Sequence, residues 1–146
     1  MQHFDKAVVG GDKWLMQLGT LSGNPVASVA GLKTMEILRR PGQYEQLRTI
    51  GKTLQQMQSQ RLNTAGIAHQ IVGDETLFDI LFTDQPCSDY RTTKHQHPQM
   101  AATYNAALRT HGILKSPSKL YPSLAISEQD LHVTEQAVDR AVSALS

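Results

Sequence analysis

The nine residues GTLSGNPVA, at positions 19–27, join a flexible backbone to hydrogen-bonding side chains just before a helical pattern. Gly19 and Gly23 allow backbone N–H groups to converge, and the hydroxyls of Thr20 and Ser22 add donors. A helix that follows such a loop brings the positive end of its dipole to the same place. This combination is typical of a site for phosphate or another anion.

A capped turn is the competing interpretation of the same residues. Asn24 is a favoured N-cap residue, and Pro25 fits the first position of a helix because its φ is already set. Helix initiation therefore explains the Asn-Pro pair, but it does not explain the two glycines and two hydroxyls before it. On these residues alone both interpretations stay open.

Other candidates for chemistry carry weaker signals. Cys87 lies in a polar loop, where it could act as a nucleophile, but no partner is evident in the surrounding sequence. His95 and His97 would face the same way in an extended segment and could bind a metal, although third and fourth ligands are not evident. The sequence therefore predicts no catalytic residue and no metal ligand in this chain.

Length and composition restrict the class of protein. A chain of 146 residues suits one domain of ordinary size. The net charge is +1 and the basic residues are scattered, apart from Arg39 and Arg40, so we expect no nucleic-acid partner. No apolar run approaches the ~20 residues of a membrane span, and no membrane partner is expected. The single cysteine and the lack of a signal-peptide pattern at the N-terminus predict a cytoplasmic protein.

Hydrophobic periodicity predicts an α+β fold. One helix should run from Pro25 to the RRPGQ stop, and an amphipathic helix from near Gln43 to positions 63–66. The segment HQIVGDETLFDILFTD predicts a β-hairpin, and PQMAATYNAALRTHG predicts a helix. Two short strands, GILKS and SLAIS, should follow, before a last helix capped by Ser127 with Asp130. The result is a small antiparallel sheet covered by helices on one face.

The string GTLSGNPVASVAGLKTMEIL resembles the segment that opens the C-terminal part of class III aminotransferases, the pyridoxal-phosphate (PLP) enzymes of fold type I. The closest similarity within that class is to the glutamate-1-semialdehyde aminomutase and β-amino-acid aminotransferase branch. The likeness continues in PGQYEQLRTIGKTL, AGIAHQIVGDETLFDILFTD and HGILKSPSKLYPSLAISEQDL, and covers nearly the whole chain. It implies the small C-terminal domain of such an enzyme, with a long connecting helix on its N-terminal side.

The resemblance implies a role for the glycine loop. In the family, the Gly-Thr of this loop reaches across the dimer and binds the phosphate of PLP held by the neighbouring subunit. The corresponding positions here are Gly19 and Thr20, with Ser22 beside them in the cofactor site. The implied partners are a homodimer partner or the missing large PLP domain, and the implied substrates are a small-molecule amino donor and a keto acid. The implied domains are 1–24, a remnant of the large domain; 25–42, the connecting helix; and 43–146, the small domain.

Two features depart from the family pattern. The lysine that forms a Schiff base with PLP and the aspartate that pairs with its ring lie upstream of the loop in the family. Lys6 and Lys13 precede the loop here, but neither has the family context of that lysine.

The stretch KSPSKLYPSLA is shorter than in aminomutases and lacks their glutamate, which disfavours an aminomutase. Its residues Lys115, Ser118, Lys119 and Tyr121 could form a basic edge that receives a substrate carboxylate, or a solvated loop between two strands.

The leading hypothesis is therefore the C-terminal portion of a PLP-dependent class III aminotransferase that is inactive by itself. A non-enzymatic α+β interaction or regulatory module derived from that fold is the alternative. A free-standing binder of phosphate ligands is a third possibility, which rests on the loop alone. We also expect the isolated chain to aggregate or to associate with itself, because a small domain without its large domain should expose apolar surface.

Overall fold

The computed structural model describes residues 2–15, 19 and 21–145, the side chain of Asp12 excepted. The chain divides into two compact units, Met1–Arg40 and Pro41–Ser146. No helix within the described ranges is long and apolar enough to span a bilayer.

The first unit is helical. A 3-10 turn at Gln2–Phe4, helix α1 (Lys6–Val9) and a 3-10 turn at Gly11–Lys13 precede helix α2 (Pro25–Leu38). The indole N–H of Trp14 donates to the carbonyl of Phe4 at 3.0 Å and ties the short helices together. Helix α2 starts and stops where the Asn-Pro pair and the RRPGQ run predict.

The second unit contains helix α3 (Gln43–Thr64), strands β1 (Gln70–Asp74) and β2 (Leu77–Leu81), a 3-10 turn at Thr92–His95, helix α4 (Pro98–Thr110) and helix α5 (Glu128–Ser143). The strands form an antiparallel hairpin in which Val72 pairs with Asp79. Helix α5 packs against both α3 and α4. The α+β prediction is confirmed, as are the predicted positions of the hairpin and of the three helices.

The core of this unit lies between the hairpin and the three helices. Phe78 and Ile80 alternate along β2 with half-buried Asp79, so one face of the strand points into the core. Phe82 and Tyr104 meet edge to face, with ring centroids 5.3 Å apart. Buried side chains shared by the strand and the helices complete the main cluster: Leu62, Ile80, Leu108, Ala137, Val138, Ala141 and Val142.

The start of α5 has the predicted cap. The hydroxyl of Ser127 accepts from the backbone N–H of Asp130 at 3.2 Å, and the carboxylate of Asp130 accepts from the backbone N–H of Ser127 at 2.8 Å. This reciprocal pair satisfies two backbone donors at the helix end.

The two predicted strands after α4, GILKS and SLAIS, are wrong. The chain there is irregular, and its single bridge to the sheet joins Leu120 to Phe78 through bonds of 2.8 and 3.3 Å. Pro117 and Pro122 interrupt the backbone donors that a longer ladder needs. Side chains bind the carbonyls instead: Asn105 donates to the carbonyl of Pro117 at 3.0 Å.

Candidate functional site

The loop before α2 is a turn built around Gly19. The carbonyl of Gly19 accepts from the N–H of Ser22 at 3.0 Å, and the φ of Gly19 is +148°. A Cβ at this position would lie 2.5 Å from Oγ of Ser22. Both the backbone angle and the closeness of the hydroxyl therefore favour glycine here.

Helix α2 is capped by its own chain. Oδ1 of Asn24 accepts from the N–H groups of Val26 and Ala27 at 3.0 and 3.2 Å. The N–H of Asn24 donates to the carbonyl of Leu21 at 3.1 Å. These amides are occupied, so an anion at the loop would meet the turn at Gly19 and Ser22 and not the first amides of the helix. The capped-turn interpretation thus explains Asn24 and Pro25.

The predicted cofactor residues can be placed in part. Gly19 and Ser22 are exposed and adjacent in the turn, whereas Thr20 lies outside the described residues. The hydroxyl of Ser22 is exposed beside a residue without a side chain, so solvent can reach this part of the turn. Residues 19–24 contain no charged side chain, so most of the countercharge of a phosphate dianion would have to come from another part of a complete site.

Lys6 and Lys13, the two lysines before the turn, lie in the short helical segments of the first unit. Lys6 lies at the start of α1, and its ammonium sits 5.4 Å from the ring centroid of Trp14. Such a cation–π contact is an ordinary surface arrangement for lysine. Lys13 closes the neighbouring 3-10 turn and is exposed.

The four residues of the possible basic edge are only partly brought together. Lys115, Lys119 and Tyr121 line a cleft of about 280 Å³, whereas Ser118 lines a second cleft of about 570 Å³, which Lys119 shares. The ammonium of half-buried Lys115 donates to the carbonyl of Ser116 at 2.8 Å. It is therefore held by its own loop, in agreement with a structural role.

Asp79, in strand β2, is a further charged neighbour of this edge. Burial raises the pKa of its carboxyl group, and the charges of Lys115 and Lys119 oppose that rise. Burial in turn lowers the pKa of Lys115, and Asp79 opposes the change. The signal was present in the alternation of β2, which places Asp79 on the face away from Phe78 and Ile80. The charges of Lys115 and Lys119 thus favour the ionised form of half-buried Asp79, although neither lysine forms an ion pair with it among the described residues.

The weaker candidates form no site among the described residues. The thiol of half-buried Cys87 faces the carbonyls of Gln85 and Thr92 at 3.6 and 3.7 Å. His95 and His97 are exposed. Within the described part of the chain, no three His, Cys, Asp or Glu side chains are grouped so that they could hold a metal ion.

The chain is similar over most of its length to larger proteins of one family. It is 33% identical over 130 residues to a glutamate-1-semialdehyde 2,1-aminomutase of Thermomicrobium roseum, a match that covers 87% of this chain and 30% of that protein. An omega-transaminase from Sphaerobacter thermophilus superimposes with a TM-score of 0.76 at 27% identity, over 99% of this chain and 33% of that one. The FumI protein of Sphingopyxis sp. MTA144, solved in its PLP internal aldimine form, superimposes with a TM-score of 0.68 at 22% identity over 89% of this chain. No protein-family model matches.

The chain has a glycine turn and a helix, followed in sequence by a unit of three helices and a small antiparallel sheet. This is the C-terminal part of a PLP-dependent aminotransferase fold. The chain belongs to the class III aminotransferase family, in the group that contains the glutamate-1-semialdehyde aminomutases. It spans about 30% of the length of the curated relatives it matches. The resemblance drawn from the sequence is confirmed.

Proposed function

We propose that this chain supplies the C-terminal portion of an enzyme that transfers an amino group between an amino acid or amine and a keto acid. In this proposal Gly19, Thr20 and Ser22 hold the phosphate of PLP that is bound by a neighbouring subunit. The observation that carries the proposal is the 33% identity over 130 residues to an aminomutase of the family. The exposed turn of Gly19 and Ser22 supports the assignment of the phosphate contact.

PLP, when bound, supplies an electron-withdrawing ring that stabilises negative charge on the substrate carbon. The contribution of this chain is to bind and orient. The hydroxyl of Ser22 donates to a phosphate oxygen, and Gly19 permits close approach of the backbone. Asn24 fixes the turn relative to α2 because it caps the first amides of that helix. None of these groups moves a proton during the reaction.

The chain needs a cofactor-carrying portion to act. Lys6 and Lys13 lack the sequence context of the Schiff-base lysine, and the ammonium of Lys6 lies over the ring of Trp14. We therefore expect the isolated chain to be inactive in amino transfer. Amino transfer is preferred to internal amino-group migration because the stretch at 113–125 is short and contains no glutamate.

The proposal is tested by co-expression with the remaining portion of the Thermomicrobium roseum aminomutase. The assembled protein should retain PLP through gel filtration, as measured by its visible absorbance, and should catalyse amino transfer. Ser22→Ala and Thr20→Val should each weaken PLP retention roughly tenfold, since a hydrogen bond to a charged group is worth ~1.5–3 kcal/mol. Ser88→Ala, an exposed serine of another loop, is the control.

Two results would contradict the proposal. If the assembled protein forms but Ser22→Ala and Thr20→Val retain PLP as the unmodified chain does, the loop does not bind the phosphate. If it binds no PLP at all while the aminomutase's own C-terminal portion restores binding, the non-enzymatic module is favoured.

A further inference from the structure

Ser59 and His69 form a hydrogen-bonded pair in the second unit. Oγ of Ser59 and Nε2 of His69 lie 2.9 Å apart, and Nδ1 of the same ring lies 2.9 Å from the backbone carbonyl oxygen of Ile67. Both side chains are half-buried. A hydroxyl, a base and a group that orients the base therefore lie in one chain of hydrogen bonds. Such an arrangement is the one that activates a serine as a nucleophile.

The carbonyl of Ile67 determines where His69 carries its proton. A carbonyl oxygen only accepts hydrogen bonds, so Nδ1 holds the hydrogen that is donated to it. In the neutral ring Nε2 then has a free lone pair, and it accepts from the hydroxyl of Ser59. His69 is therefore held in the tautomer that a general base for Ser59 requires.

The end of helix α3 brings His69 back to Ser59. Gly66 has a φ of +68° and lies just beyond the helix, where a left-handed residue reverses the chain direction. The N–H of Ile67 then donates to the carbonyl of Leu62 at 2.9 Å, which is the long bond of a Schellman motif. Ile67 also packs against the main core cluster. His69 is thus fixed between a capped helix end and the start of strand β1.

Asn63 places a donor beside the same hydroxyl. It follows Ser59 by one helical turn, and its Nδ2 lies 3.4 Å from Oγ of Ser59. When Oγ adds to an acyl group, negative charge develops on the oxygen of the carbon to which Oγ is bonded, within reach of this amide. Asn63 and Gly66 are both exposed, so a small molecule can approach the pair from solvent.

We propose that Ser59 is a nucleophile towards small activated acyl esters, with His69 as its general base and Asn63 as a donor to the oxyanion. Oγ bonds to the acyl carbon while its proton passes to Nε2 of His69, and this proton leaves with the alcohol or phenol group. Water then attacks the acyl-serine and gives a proton to Nε2. The acid is released, and the proton returns to Oγ. The net reaction is the hydrolysis of one ester by one water molecule.

This activity goes beyond the proposed function and does not depend on it. No step involves PLP, the glycine turn or a second chain. The full chain by itself is therefore the protein to test, and a failure of PLP binding leaves the result of the test unaffected.

The test treats the folded chain with a fluorophosphonate, which bonds to activated serine oxygens with loss of fluoride, and locates the label by mass spectrometry of peptides. Ser59 should be labelled at least tenfold faster than Ser88, an exposed serine of another loop. His69→Gln should slow the labelling of Ser59 at least tenfold, because a positioned general base typically supplies ~10²–10⁴-fold. His132→Gln is the matched control. His132 is exposed on α5, bonded to Gln136 at 3.0 Å, and its loss should change the labelling less than twofold.

Hydrolysis of p-nitrophenyl acetate gives a second readout. The unmodified chain should carry an acetyl group on Ser59 during the reaction, as detected by mass spectrometry after an acid quench. Ser59→Ala should lower the rate of nitrophenolate release, followed by absorbance. Asn63→Ala should lower it as well, since one oxyanion donor is lost.

The proposal fails on either of two results. If Ser59 in the folded chain is labelled no faster than Ser88, its hydroxyl is not activated. If labelling of Ser59 is the same in His69→Gln, the pair is only a structural tie between α3 and β1. The comparison of Ser59 with Ser88 uses the unmodified chain, so it decides the proposal even where a variant unfolds.

Discussion

Tyr104 donates a hydrogen bond of 3.1 Å from its buried hydroxyl to Oε1 of Gln58, and so links α4 to α3 inside the core. The amide nitrogen of Gln58 donates in turn to the carbonyl of Leu54 at 2.9 Å. Burial raises the pKa of Tyr104, so the phenol stays protonated as a donor at every pH of interest. The helical spacing of PQMAATYNAALRTHG places Tyr104 on the same face as Met100 and Leu108, but it gives no sign that its partner would be a glutamine.

Tyr104→Phe should lower the free energy of unfolding by about 1–3 kcal/mol, because the buried carbonyl of Gln58 then has no donor. Urea denaturation of the full chain measures the change. Tyr44→Phe is the control: Tyr44 is half exposed at the start of α3, and its change should stay within ~0.5 kcal/mol. Equal effects at the two tyrosines would contradict the importance of the buried bond.

Gly51→Ala should destabilise the fold by about 1–3 kcal/mol or more. Gly51 is buried in α3, where the hairpin turn lies so close that a Cβ would collide with the backbone carbonyl of Glu75. Gly31→Ala in α2 is the matched control, since no atom lies within 4 Å of a Cβ there. This second change should stabilise its helix by ~0.5–1 kcal/mol. Thermal unfolding followed by circular dichroism distinguishes the two signs.

Asp74, at the hairpin turn, should make the free energy of unfolding depend on pH below about 4. Hydrogen bonds from Thr76, and the bond to Arg48 at 2.7 Å, lower the pKa of Asp74 from 3.8 to about 2. A carboxyl group whose folded pKa is lowered contributes its stability above the unfolded pKa and loses it as the pH falls through the folded value. The contribution should therefore be full above about pH 4 and disappear as the pH falls towards 2.

Asp74→Asn should remove that acid-dependent part of the unfolding free energy and leave a flatter profile between pH 4 and 2. The measurement is urea denaturation at a series of pH values. Asp84→Asn, in an exposed loop, is the control and should keep the slope of the unmodified chain. A profile that does not change in Asp74→Asn would show that the turn hydrogen bonds do not hold the carboxylate.

The helices could be predicted because their signals are local. The Asn24 cap, the RRPGQ stop and the Ser127–Asp130 capping box act within a few residues, and each lies where the sequence places it. The two strands after α4 could not be judged in the same way. The segment around Leu120 forms one bridge to β2 and not a full strand. The prolines and Asn105 decide this through tertiary contacts, which local sequence patterns do not reveal.

For the candidate site, sequence and structure agree on the cap at Asn24, whereas the ligand of the loop stays a prediction. The glycines and hydroxyls at 19–23 indicated an anion loop, and the family resemblance gave the anion a chemical identity. The sequence also placed the positive end of the helix dipole at this loop, next to Asn24 as a favoured N-cap. The structure shows the side chain of Asn24 accepting from the amides of Val26 and Ala27, two and three residues further along the chain, as an N-cap does. The role of Thr20 remains a prediction.

Gly19→Ala should disrupt the proposed phosphate contact without unfolding the rest of the chain. The new Cβ would lie 2.5 Å from Oγ of Ser22, and a φ of +148° is strained for alanine. The turn must therefore move, and the hydroxyl of Ser22 moves with it. In the protein assembled with the cofactor-carrying portion, we expect the affinity for PLP to fall at least tenfold, as measured by absorbance during dialysis. The urea midpoint of residues 41–146 should not change.

Gly10→Ala is the control. It has a similar backbone penalty at a φ of +78°, with no atom within 4 Å of the new Cβ, and it lies outside the turn. If Gly10→Ala lowers PLP affinity as much as Gly19→Ala does, the effect comes from general strain in the first unit and not from the phosphate turn.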